Sequence, residues 1–322
     1  MTLDGSLDGR VIVVTGASRG LGRGMADWFA AQGARVAVCA RQEPVAPAGG
    51  LSYTASVDVT DAAAVTAFAN EAAERHGPPD LWVNNAGVLE PVVSQRELSA
   101  ASLAEHFAIN VGGVLHGTQA YLGVLDAHGR SGLLANISSG ASLAGRAGWS
   151  AYCAGKAAVD RLTETIALEE PDRLAAAWSV APGLVDTAMQ EYIRGLSADQ
   201  FPSVEWFKDR KRSNAFNEPW WVAQTIASWC FGGGERPASG FARIPDQPAC
   251  PPATPTNPPD PRPTRPPRRA ELTAGPAPPG RGRPGPAASR GQPVRRTHNG
   301  SISAGPVRAR LKPVAGSPAK ST

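Results

Sequence analysis

Two side chains near the middle of the chain, Tyr152 and Lys156, have the types and the spacing that proton transfer requires. They stand four residues apart in a run of small residues that predicts a tightly packed helix, so both emerge on one helix face. A lysine ammonium beside a phenol stabilises the phenolate and lowers the tyrosine pKa from its usual value of about 10. A tyrosine tuned in this way can give a proton to a carbonyl oxygen or take one from an alcohol.

A hydroxyl group is predicted to lie beside this pair. Ser139 stands thirteen residues before Tyr152, just after the apolar residues 133–137, which predict a buried strand. A serine at a strand end can hydrogen-bond the same oxygen that the tyrosine protonates. Because Tyr-x-x-x-Lys also occurs on ordinary helix surfaces, the interpretation depends on the elements around the pair.

The start of the chain predicts a strand, a glycine loop, a helix and a second strand. Residues 10–16 form a β-branched run that ends in Thr-Gly, as a fully buried parallel strand does, and the second strand is expected at 34–40. Between them Gly16, Gly20 and Gly22 have the spacing G-x-x-x-G-x-G. Small residues there let the backbone approach a pyrophosphate at a helix N-terminus, so this unit predicts a dinucleotide site.

The end of the second strand indicates which dinucleotide to expect. An acidic residue there would bind the ribose hydroxyls of NAD, but Ala40 occupies the position and Arg41 follows it. Arg19 lies within the glycine loop, and two guanidiniums that converge on one place suit a 2′-phosphate. The pattern favours NADP(H) over NAD(H). In the alternative, both arginines are solvated and Glu43 binds the ribose.

The next segments continue the alternation of strands and helices. Residues 42–52 are too short and too rich in proline and glycine for a helix, so they predict a loop that leads into a third strand near 52–57. Asp58 ends that strand and could receive the adenine amino group. Residues 58–61 also resemble the N-cap of a helix over 61–76, and the two roles are compatible.

Two further segments place polar residues near the expected cofactor crevice. Strand four, residues 80–84, runs into Asn85-Ala86-Gly87, and such residues at a strand end of a doubly wound sheet lie beside the cofactor. Asn110 falls in an apolar helical segment. An amide is costly there unless it is hydrogen-bonded, so Asn110 has either a structural or a catalytic partner.

Composition divides the chain into two unlike parts. Of the 30 prolines, 11 lie in residues 1–246 and 19 in residues 247–322. The first part contains 19 basic residues (lysine or arginine) and 26 acidic residues, which gives a formal charge of −7. The second part contains 13 basic and 2 acidic residues, which gives +11. The sequence therefore predicts one α/β domain over 1–246 and a disordered, basic, Pro/Arg-rich tail over 247–322, to which we assign no function.

Several partner classes and compartments are disfavoured. The first residues lack the pattern of a secretory leader, so none is expected, and no apolar run reaches the roughly 20 residues that cross a bilayer. Cysteines 39, 153, 230 and 250 show no metal-ligand spacing and are interpreted as free thiols in a reducing cytoplasm. The basic tail lacks aromatic residues for base stacking, which disfavours a dedicated nucleic-acid role. We therefore expect a cytoplasmic protein without a metal or a membrane partner.

Taken together, the motifs resemble the short-chain dehydrogenase/reductase family over about residues 8–246. In chain order they are residues 15–22 (TGASRGLG), 84–87 (NNAG), Asn110, Ser139, the Tyr152/Lys156 pair and residues 182–187 (PGLVDT). The resemblance implies a Rossmann-type doubly wound parallel sheet in a single domain, an NADP-dependent oxidoreductase, a small carbonyl or alcohol substrate, and a homodimer or homotetramer.

The same resemblance implies a role for each motif. Ser139 would orient the substrate carbonyl and Tyr152 would be the acid/base. Lys156 would bind the nicotinamide ribose and tune the tyrosine, while Asn110 would hold a water in a proton relay. Ser139, Tyr152 and Met189 are the expected substrate contacts. The predicted cofactor-binding residues are Gly16, Ser18, Arg19, Gly20, Leu21, Gly22, Arg41, Asp58, Val59, Asn85, Ala86, Gly87, Tyr152, Lys156, Pro182, Gly183, Val185 and Thr187.

A narrower resemblance concerns the substrate. Residues 148–174 and 180–190 are similar to sepiapterin reductase and its microbial relatives, including benzil reductases. Sepiapterin reductases anchor the pterin with an aspartate in a C-terminal Ser-Gly-x-x-x-Asp run, but Ile244 stands at that place here and Asp246 comes two residues later. An apolar residue cannot pair with pterin NH groups, so a bulky dicarbonyl or aryl ketone is expected. A pterin reductase, and a non-catalytic NADP sensor acting through the tail, are the alternatives.

The last segments are expected to form a substrate lid and the edge of the domain. Segment 188–218 follows the PGLVDT turn, where this architecture places a mobile lid. Its apolar side chains either line a pocket or pack as ordinary core: Met189, Tyr192, Phe201, Trp206 and Phe207. The charged run 208–212 is predicted to be solvated. A helix at 219–231 and a strand near 240–244 complete the domain.

Overall fold

The computed structural model describes residues 6–233 and 236–248. The predicted tail from residue 249 onward, including Cys250, lies outside these residues, and so do the predictions about it.

Seven parallel strands form a single sheet in the described part of the chain. Their order across the sheet is β3-β2-β1-β4-β5-β6-β7. Their bounds are β1 Val11–Thr15, β2 Arg35–Ala40, β3 Ser52–Ser56, β4 Leu81–Asn84, β5 Gly132–Ile137, β6 Leu174–Ala181 and β7 Gly240–Arg243. Along the chain, β2 and β3 are added on one side of β1, and β4 then pairs with the other side of β1. The predicted Rossmann-type doubly wound sheet is confirmed.

Helices cover both faces of this sheet. Their bounds are α1 Gly20–Ala31, α2 Ala62–His76, α3 Ala100–Phe107, α4 Gly113–Ala127, α5 Ser150–Glu169, α6 Ala188–Gly195, α7 Val204–Arg212 and α8 Pro219–Phe231. The loop predicted at 42–52 is confirmed, and so is the helix at 219–231. The single helix expected around Asn110 is instead α3 and α4 joined by a π-helical turn, Ala108–Gly112. Such turns are frequent at functional sites.

The sheet is buried on both faces, which explains its continuous apolar strands. In β1 the side chains of Ile12 and Val14 belong to the core cluster under α1 and α8, whereas Val13 belongs to the cluster under α2 and α4. Met25 and Phe29 supply the buried stripe of α1 in the first cluster, as the sequence pattern predicts. The strands therefore hold their carboxyl ends rigidly in one row.

The strand order reverses between β1 and β4. Doubly wound folds bind their ligands at the carboxyl ends of the strands at such a point. A third apolar cluster lies outside the sheet and includes Trp149, Tyr152, Phe201 and Phe207. It joins α5 to the helices α6 and α7, so these two helices pack beside Tyr152.

Three of the four cysteines lie in the described part of the chain. Cys39 and Cys230 are buried free thiols and Cys153 is a half-buried free thiol, as predicted for these three residues. Within residues 6–233 and 236–248, none of the helices combines the length and apolar character that a membrane span needs.

Candidate active site

The glycine loop after β1 forms a tight cradle against the loop after β4. Gly16 has φ +68°, and a Cβ built on it would lie 2.6 Å from the Cα of Ala86. A Cβ on Gly22 would lie 2.3 Å from Nδ2 of Asn85 and 2.5 Å from the carbonyl oxygen of Gly16. Only glycine fits at either position, because real Cβ atoms do not approach other atoms so closely. The predicted residues Gly16, Gly22, Asn85 and Ala86 are therefore brought together.

Thr15 ties the two loops to each other, a role that sequence reasoning missed. Its Oγ1 accepts hydrogen bonds from the backbone N–H groups of Asn85 (3.0 Å) and Ala86 (3.1 Å). In return Nδ2 of Asn85 donates to the carbonyl oxygens of Thr15 (2.9 Å) and Gly16 (3.1 Å). The only sequence signal was the Thr-Gly pair at the end of the first strand.

The predicted phosphate-binding side chains stay on the surface of this cradle. Ser18, Arg19 and Arg41 are exposed, and Leu21 is half-buried against the core under α1. The Glu43 carboxylate accepts a hydrogen bond from Oγ1 of Thr54 at 2.7 Å. The arginines thus remain available to an anion, whereas Glu43 already has a partner within the protein.

Asp58 does not cap the following helix. Its carboxylate accepts hydrogen bonds from the backbone N–H of Thr60 (2.9 Å) and its hydroxyl (2.8 Å), while Asp61 caps α2 through Ala63 and Ala64. The bonds from Thr60 are the main cause that holds the pKa of Asp58 below its ordinary value, and Arg41 adds a smaller electrostatic contribution. Asp58 is therefore an ionised, exposed carboxylate near Arg41.

Tyr152 and Lys156 lie on one buried face of α5, with exposed fractions of 8% and 6%. The lysine Nζ donates to the carbonyl oxygen of Ile137 at 2.7 Å and lies 5.8 Å from the centre of the tyrosine ring. Burial raises the pKa of Tyr152, and the nearby Ser139 hydroxyl opposes that rise. The prediction that the pKa of Tyr152 is lowered is wrong, because desolvation of the buried phenol outweighs the influence that lowers this pKa.

Lys156 has a buried acidic neighbour one helical turn away. Asp160 accepts a hydrogen bond from Oγ of Ser138 at 2.5 Å, and both residues are buried. Burial lowers the pKa of Lys156 to about 8, and the negative charge of Asp160 opposes this shift. Asp160 was not singled out in the sequence, where it looks like one more polar residue on a helix.

Asn110 is fully buried, and its side chain is hydrogen-bonded to the main chain of Val88. Oδ1 accepts from the Val88 N–H at 2.8 Å, and Nδ2 donates to the Val88 carbonyl oxygen at 2.8 Å. Val88 directly follows Gly87, whose Cβ, if present, would lie 2.7 Å from Oδ1 of Asn110 and 3.8 Å from Nζ of Lys156. The sequence left either a structural or a catalytic partner open for Asn110, and these two hydrogen bonds are structural.

The PGLVDT turn reaches back to the glycine loop. A Cβ on Gly20 would lie 3.3 Å from Cγ2 of Thr187, so the two loops are in contact. Gly183 has φ +76°, and Asn217 supports the turn by donating from Nδ2 to the carbonyl oxygen of Pro182 at 2.9 Å. Sequence reasoning missed Asn217, since nothing near it in the chain indicates this contact.

Two of the predicted cofactor residues point their side chains into the core. Val185 belongs to the apolar cluster under α1 and α8, and Val59 belongs to the cluster under α2 and α4. The Val59 carbonyl oxygen is also within 2.9 Å of Nδ1 of His116. Any contact of these two residues with a ligand would therefore be made by main-chain atoms.

The aromatic residues of segment 188–218 divide into two groups. Phe201 and Phe207 are buried around Trp149, which stacks on Phe201 at 4.7 Å between ring centres and meets Tyr152 edge-on at 5.4 Å. Tyr192 and Trp206 are 42% and 40% exposed, so these two do not pack as ordinary core. Their neighbours at 208–212 lie on the outer surface, as predicted.

The substrate contact predicted at residue 189 lies at the edge of the same aromatic cluster. Met189 is half-buried and packs against it from the first turn of α6. An unbranched thioether there can adapt its shape to a neighbouring ligand.

Comparison with known proteins agrees with this geometry. The family model for short chain dehydrogenases matches residues 10–196. A sorbitol dehydrogenase of Cereibacter sphaeroides is 37% identical over 187 residues, which cover 56% of this chain and 72% of the relative. A benzil reductase of Saccharomyces cerevisiae that forms (S)-benzoin is 35% identical over 202 residues, 58% of this chain and 75% of the relative.

Solved structures show the same fold. The crystal structure of an actinorhodin polyketide ketoreductase with NADPH matches with a TM-score of 0.64 and 26% identity, covering 74% of this chain and 97% of that one. The seven-stranded sheet, the glycine cradle and the family match over more than half of the chain lead to one conclusion. The chain belongs to the short-chain dehydrogenase family of oxidoreductases, whose members use a nicotinamide cofactor.

Proposed function

We propose that this protein is an NADP(H)-dependent carbonyl reductase that interconverts a ketone or dicarbonyl compound and its alcohol, with Tyr152 as the acid/base. The observation that carries the proposal is the convergence of Ser139, Tyr152 and Lys156 at the carboxyl ends of the central strands. Benzil reductase and ketoreductase activities among the similar proteins support the same class of substrate.

The residues present fit a nicotinamide dinucleotide. The loop has no room for a side chain at Gly16 or Gly22 and leads directly into the N-terminus of α1, which favours a pyrophosphate. Gly87 and the turn at 182–187 would border the nicotinamide half of the cofactor. When bound, the nicotinamide supplies or accepts the hydride.

The protein groups would handle the substrate oxygen and its proton. The Ser139 hydroxyl would hydrogen-bond the carbonyl oxygen, while the Tyr152 hydroxyl donates its proton to that oxygen in reduction or accepts one from the alcohol in oxidation. The raised pKa of Tyr152 keeps the phenol protonated at neutral pH, as an acid must be. The Lys156 ammonium would stabilise the phenolate that forms and contact the nicotinamide ribose.

Replacing Asp160 tests whether Lys156 acts as a charged group. In the Asp160→Asn variant the pKa of Lys156 should fall further below about 8, since the charge that opposes the effect of burial is gone. A lysine is charged only below its pKa, so the loss of NADPH affinity and of kcat on the alkaline side should move to lower pH. The measurement is the pH dependence of both quantities between about pH 6 and 9.

Glu169→Gln is the matched control for this variant, because Glu169 is an exposed acid at the far end of the same helix. Its profile should coincide with that of the unmodified protein. If NADPH affinity and kcat of Asp160→Asn fell at the same alkaline pH as in the unmodified protein, the charge of Lys156 would not govern that loss.

The cofactor preference is proposed from charge. Arg19 and Arg41 are exposed beside the cradle, and β2 ends in Ala40 rather than in an acid. In the Arg19→Ala/Arg41→Ala variant we expect the Kd for NADPH to rise by at least about tenfold, because each charge-assisted hydrogen bond contributes about 1.5–3 kcal/mol. The Kd for NADH should change little, since NADH lacks the 2′-phosphate.

Cofactor titrations by fluorescence quenching measure both constants. Arg161→Ala removes an exposed arginine of α5 that pairs with Glu164 and should alter neither of them. Equal weakening of NADPH and NADH by the double variant would argue that the two arginines act without contacting a 2′-phosphate.

The substrate is proposed to be a bulky dicarbonyl or aryl ketone rather than a pterin. Trp149 and Phe201 form an aromatic wall that includes Tyr152. Ile244, at the place of the pterin-anchoring aspartate, is fully buried in the core and donates its N–H to Ala181 at 2.9 Å. Asp246 is 88% exposed and pairs with Arg243 at 3.5 Å. No carboxylate in this stretch is therefore placed as a buried pterin anchor.

The direct test follows NADPH and NADH absorbance with the full chain against benzil, simple aryl ketones and sepiapterin. NADPH-dependent turnover of benzil or an aryl ketone, with sepiapterin much slower, is the expected result. Rapid turnover of sepiapterin would favour the pterin alternative. Tight NADPH binding without turnover of any carbonyl compound would favour a non-catalytic NADP sensor.

A further inference from the structure

His106 is a buried titratable residue beside the candidate site to which no role has been given. It lies in the last turn of α3, directly before the π-helical turn that carries Asn110, and is 1% exposed. Its ring meets the ring of Tyr152 edge-on, with centres 6.2 Å apart. Its Nδ1 is 2.7 Å from the carbonyl oxygen of Glu90. Gly155 leaves room for the ring, because a Cβ there would lie 3.2 Å from Nε2.

The backbone of Val88 determines which way the Asn110 amide points. The Val88 N–H can only donate and its carbonyl oxygen can only accept, so Oδ1 of Asn110 must face the former and Nδ2 the latter. Nδ2 is then the atom that faces His106, at 2.7 Å from Nε2 and 3.4 Å from Nδ1. An amide NH₂ group can only donate, so the nearer nitrogen, Nε2, must be the acceptor.

This orientation leaves one protonation state of the ring. Nε2 carries a lone pair, so Nδ1 carries the proton and donates it to the Glu90 carbonyl oxygen. We propose that His106, as the neutral Nδ1–H tautomer, is a positioning residue for Asn110, and that its protonation releases Asn110 and Val88 from their catalytically competent arrangement. The inference rests on the proposed function for its activity readout.

Protonation of His106 would break this arrangement, because the ring would then carry two donors and no acceptor. With both ring nitrogens protonated, Nε2–H would face the Asn110 NH₂ group, donor against donor. Rotating the amide would satisfy His106 but would turn NH₂ toward the Val88 N–H. The Asn110 amide must then either face a second donor or give up its hydrogen bonds to Val88, which is next to Gly87.

The charged groups around the ring come from two other elements. Lys156 of α5 disfavours a second positive charge, and Glu90 of the loop after β4 favours it. Tyr152 of α5 presents its uncharged ring. Burial is the largest influence and lowers the pKa of His106 below its usual value, so the ring stays neutral at physiological pH.

Two substitutions separate positioning from mere packing. His106→Gln supplies an acceptor for Asn110 and a donor for Glu90 without titrating, so kcat at neutral pH should stay within about threefold of the unmodified protein and its loss on the acidic side should be reduced. His106→Leu leaves Nδ2 of Asn110 without this partner, so kcat should fall by about tenfold or more at every pH. His128→Gln is the control and should keep the normal profile, because His128 is an exposed histidine at the end of α4 whose Nδ1 lies 2.9 Å from the Val124 carbonyl oxygen.

Histidine ¹⁵N NMR of the cofactor-free protein tests the inference independently of turnover, with His106→Gln identifying the signal. We expect the Nδ1–H tautomer and a pKa below the usual value of about 6.5. An Nε2–H tautomer, or a neutral-pH kcat in His106→Leu equal to that of the unmodified protein, would overturn the inference. A loss of kcat at acidic pH that is the same in His106→Gln as in the unmodified protein would also overturn it. An absence of turnover in the unmodified protein would contradict the proposed function instead, and the tautomer and pKa would still decide the inference.

Discussion

Tyr152→Phe is expected to reduce kcat by about 100- to 10,000-fold, because general acid catalysis contributes about 10²–10⁴. NADPH should still bind with a Kd within about threefold of the original value. The substitution removes one buried hydroxyl, the proposed proton donor. It keeps the ring that packs against Trp149 at 5.4 Å and His106 at 6.2 Å. The measurements are single-turnover reduction of a ketone by NADPH and a fluorescence titration of the cofactor.

Tyr121→Phe is a matched control, since it removes the other buried phenol of the domain. The Tyr121 hydroxyl donates to the Pro79 carbonyl oxygen at 3.0 Å and accepts from the Leu133 N–H at 3.1 Å, and neither partner belongs to the site. Its loss should lower the free energy of unfolding by about 1 kcal/mol and leave kcat unchanged. A Tyr152→Phe enzyme that kept most of its turnover would mean that another group supplies the proton.

Gly22→Ala is expected to weaken NADPH binding by at least about tenfold and to lower the free energy of unfolding by about 1–3 kcal/mol. The new Cβ would lie 2.3 Å from Nδ2 of Asn85 and 2.5 Å from the Gly16 carbonyl oxygen. Since one of those contacts is with backbone, the glycine loop itself must move, and the hydrogen bonds from Asn85 to Thr15 and Gly16 must lengthen. Cofactor titration and chemical unfolding measure the two effects.

Gly123→Ala is the corresponding control. Gly123 is an exposed residue of α4, and a Cβ there meets nothing within 4 Å. The substitution should stabilise the protein by about 0.5–1 kcal/mol, because alanine loses less backbone entropy in a helix, and should leave NADPH binding unchanged. If Gly22→Ala behaved in the same way, the close approach of the two loops would not be needed for the cofactor.

The parts of the site that sequence reasoning predicted are those with a local signature. Periodicity gave the strands and helices, because a buried parallel strand reads as an apolar run and a surface helix as a stripe. The glycine loop was recognisable because tight turns and close backbone approach require glycine there. Lys156 was placed beside Tyr152 because a helix brings residues four apart onto one face.

Predictions failed where burial or distant neighbours decide the outcome. The pKa of Tyr152 rises rather than falls, since desolvation depends on the packing of α5 against other elements and not on the neighbouring lysine. Trp206 and Phe207 are adjacent in sequence, yet one is exposed and the other buried, because α7 presents only one face to the core.

The amino-acid sequence by itself determined the alternation of strands and helices, the position of the glycine cradle and the Tyr152/Lys156 pair, since each depends on patterns within a short length of chain. Only the tertiary structure decided what supports them. Thr15 meets Asn85 seventy positions away, and Asn217 reaches Pro182 across thirty-five. His106 can be recognised as a partner of Asn110 only once the Val88 backbone shows which way the amide points. Such contacts are set by how sheet and helices pack, and no local pattern in the chain records them.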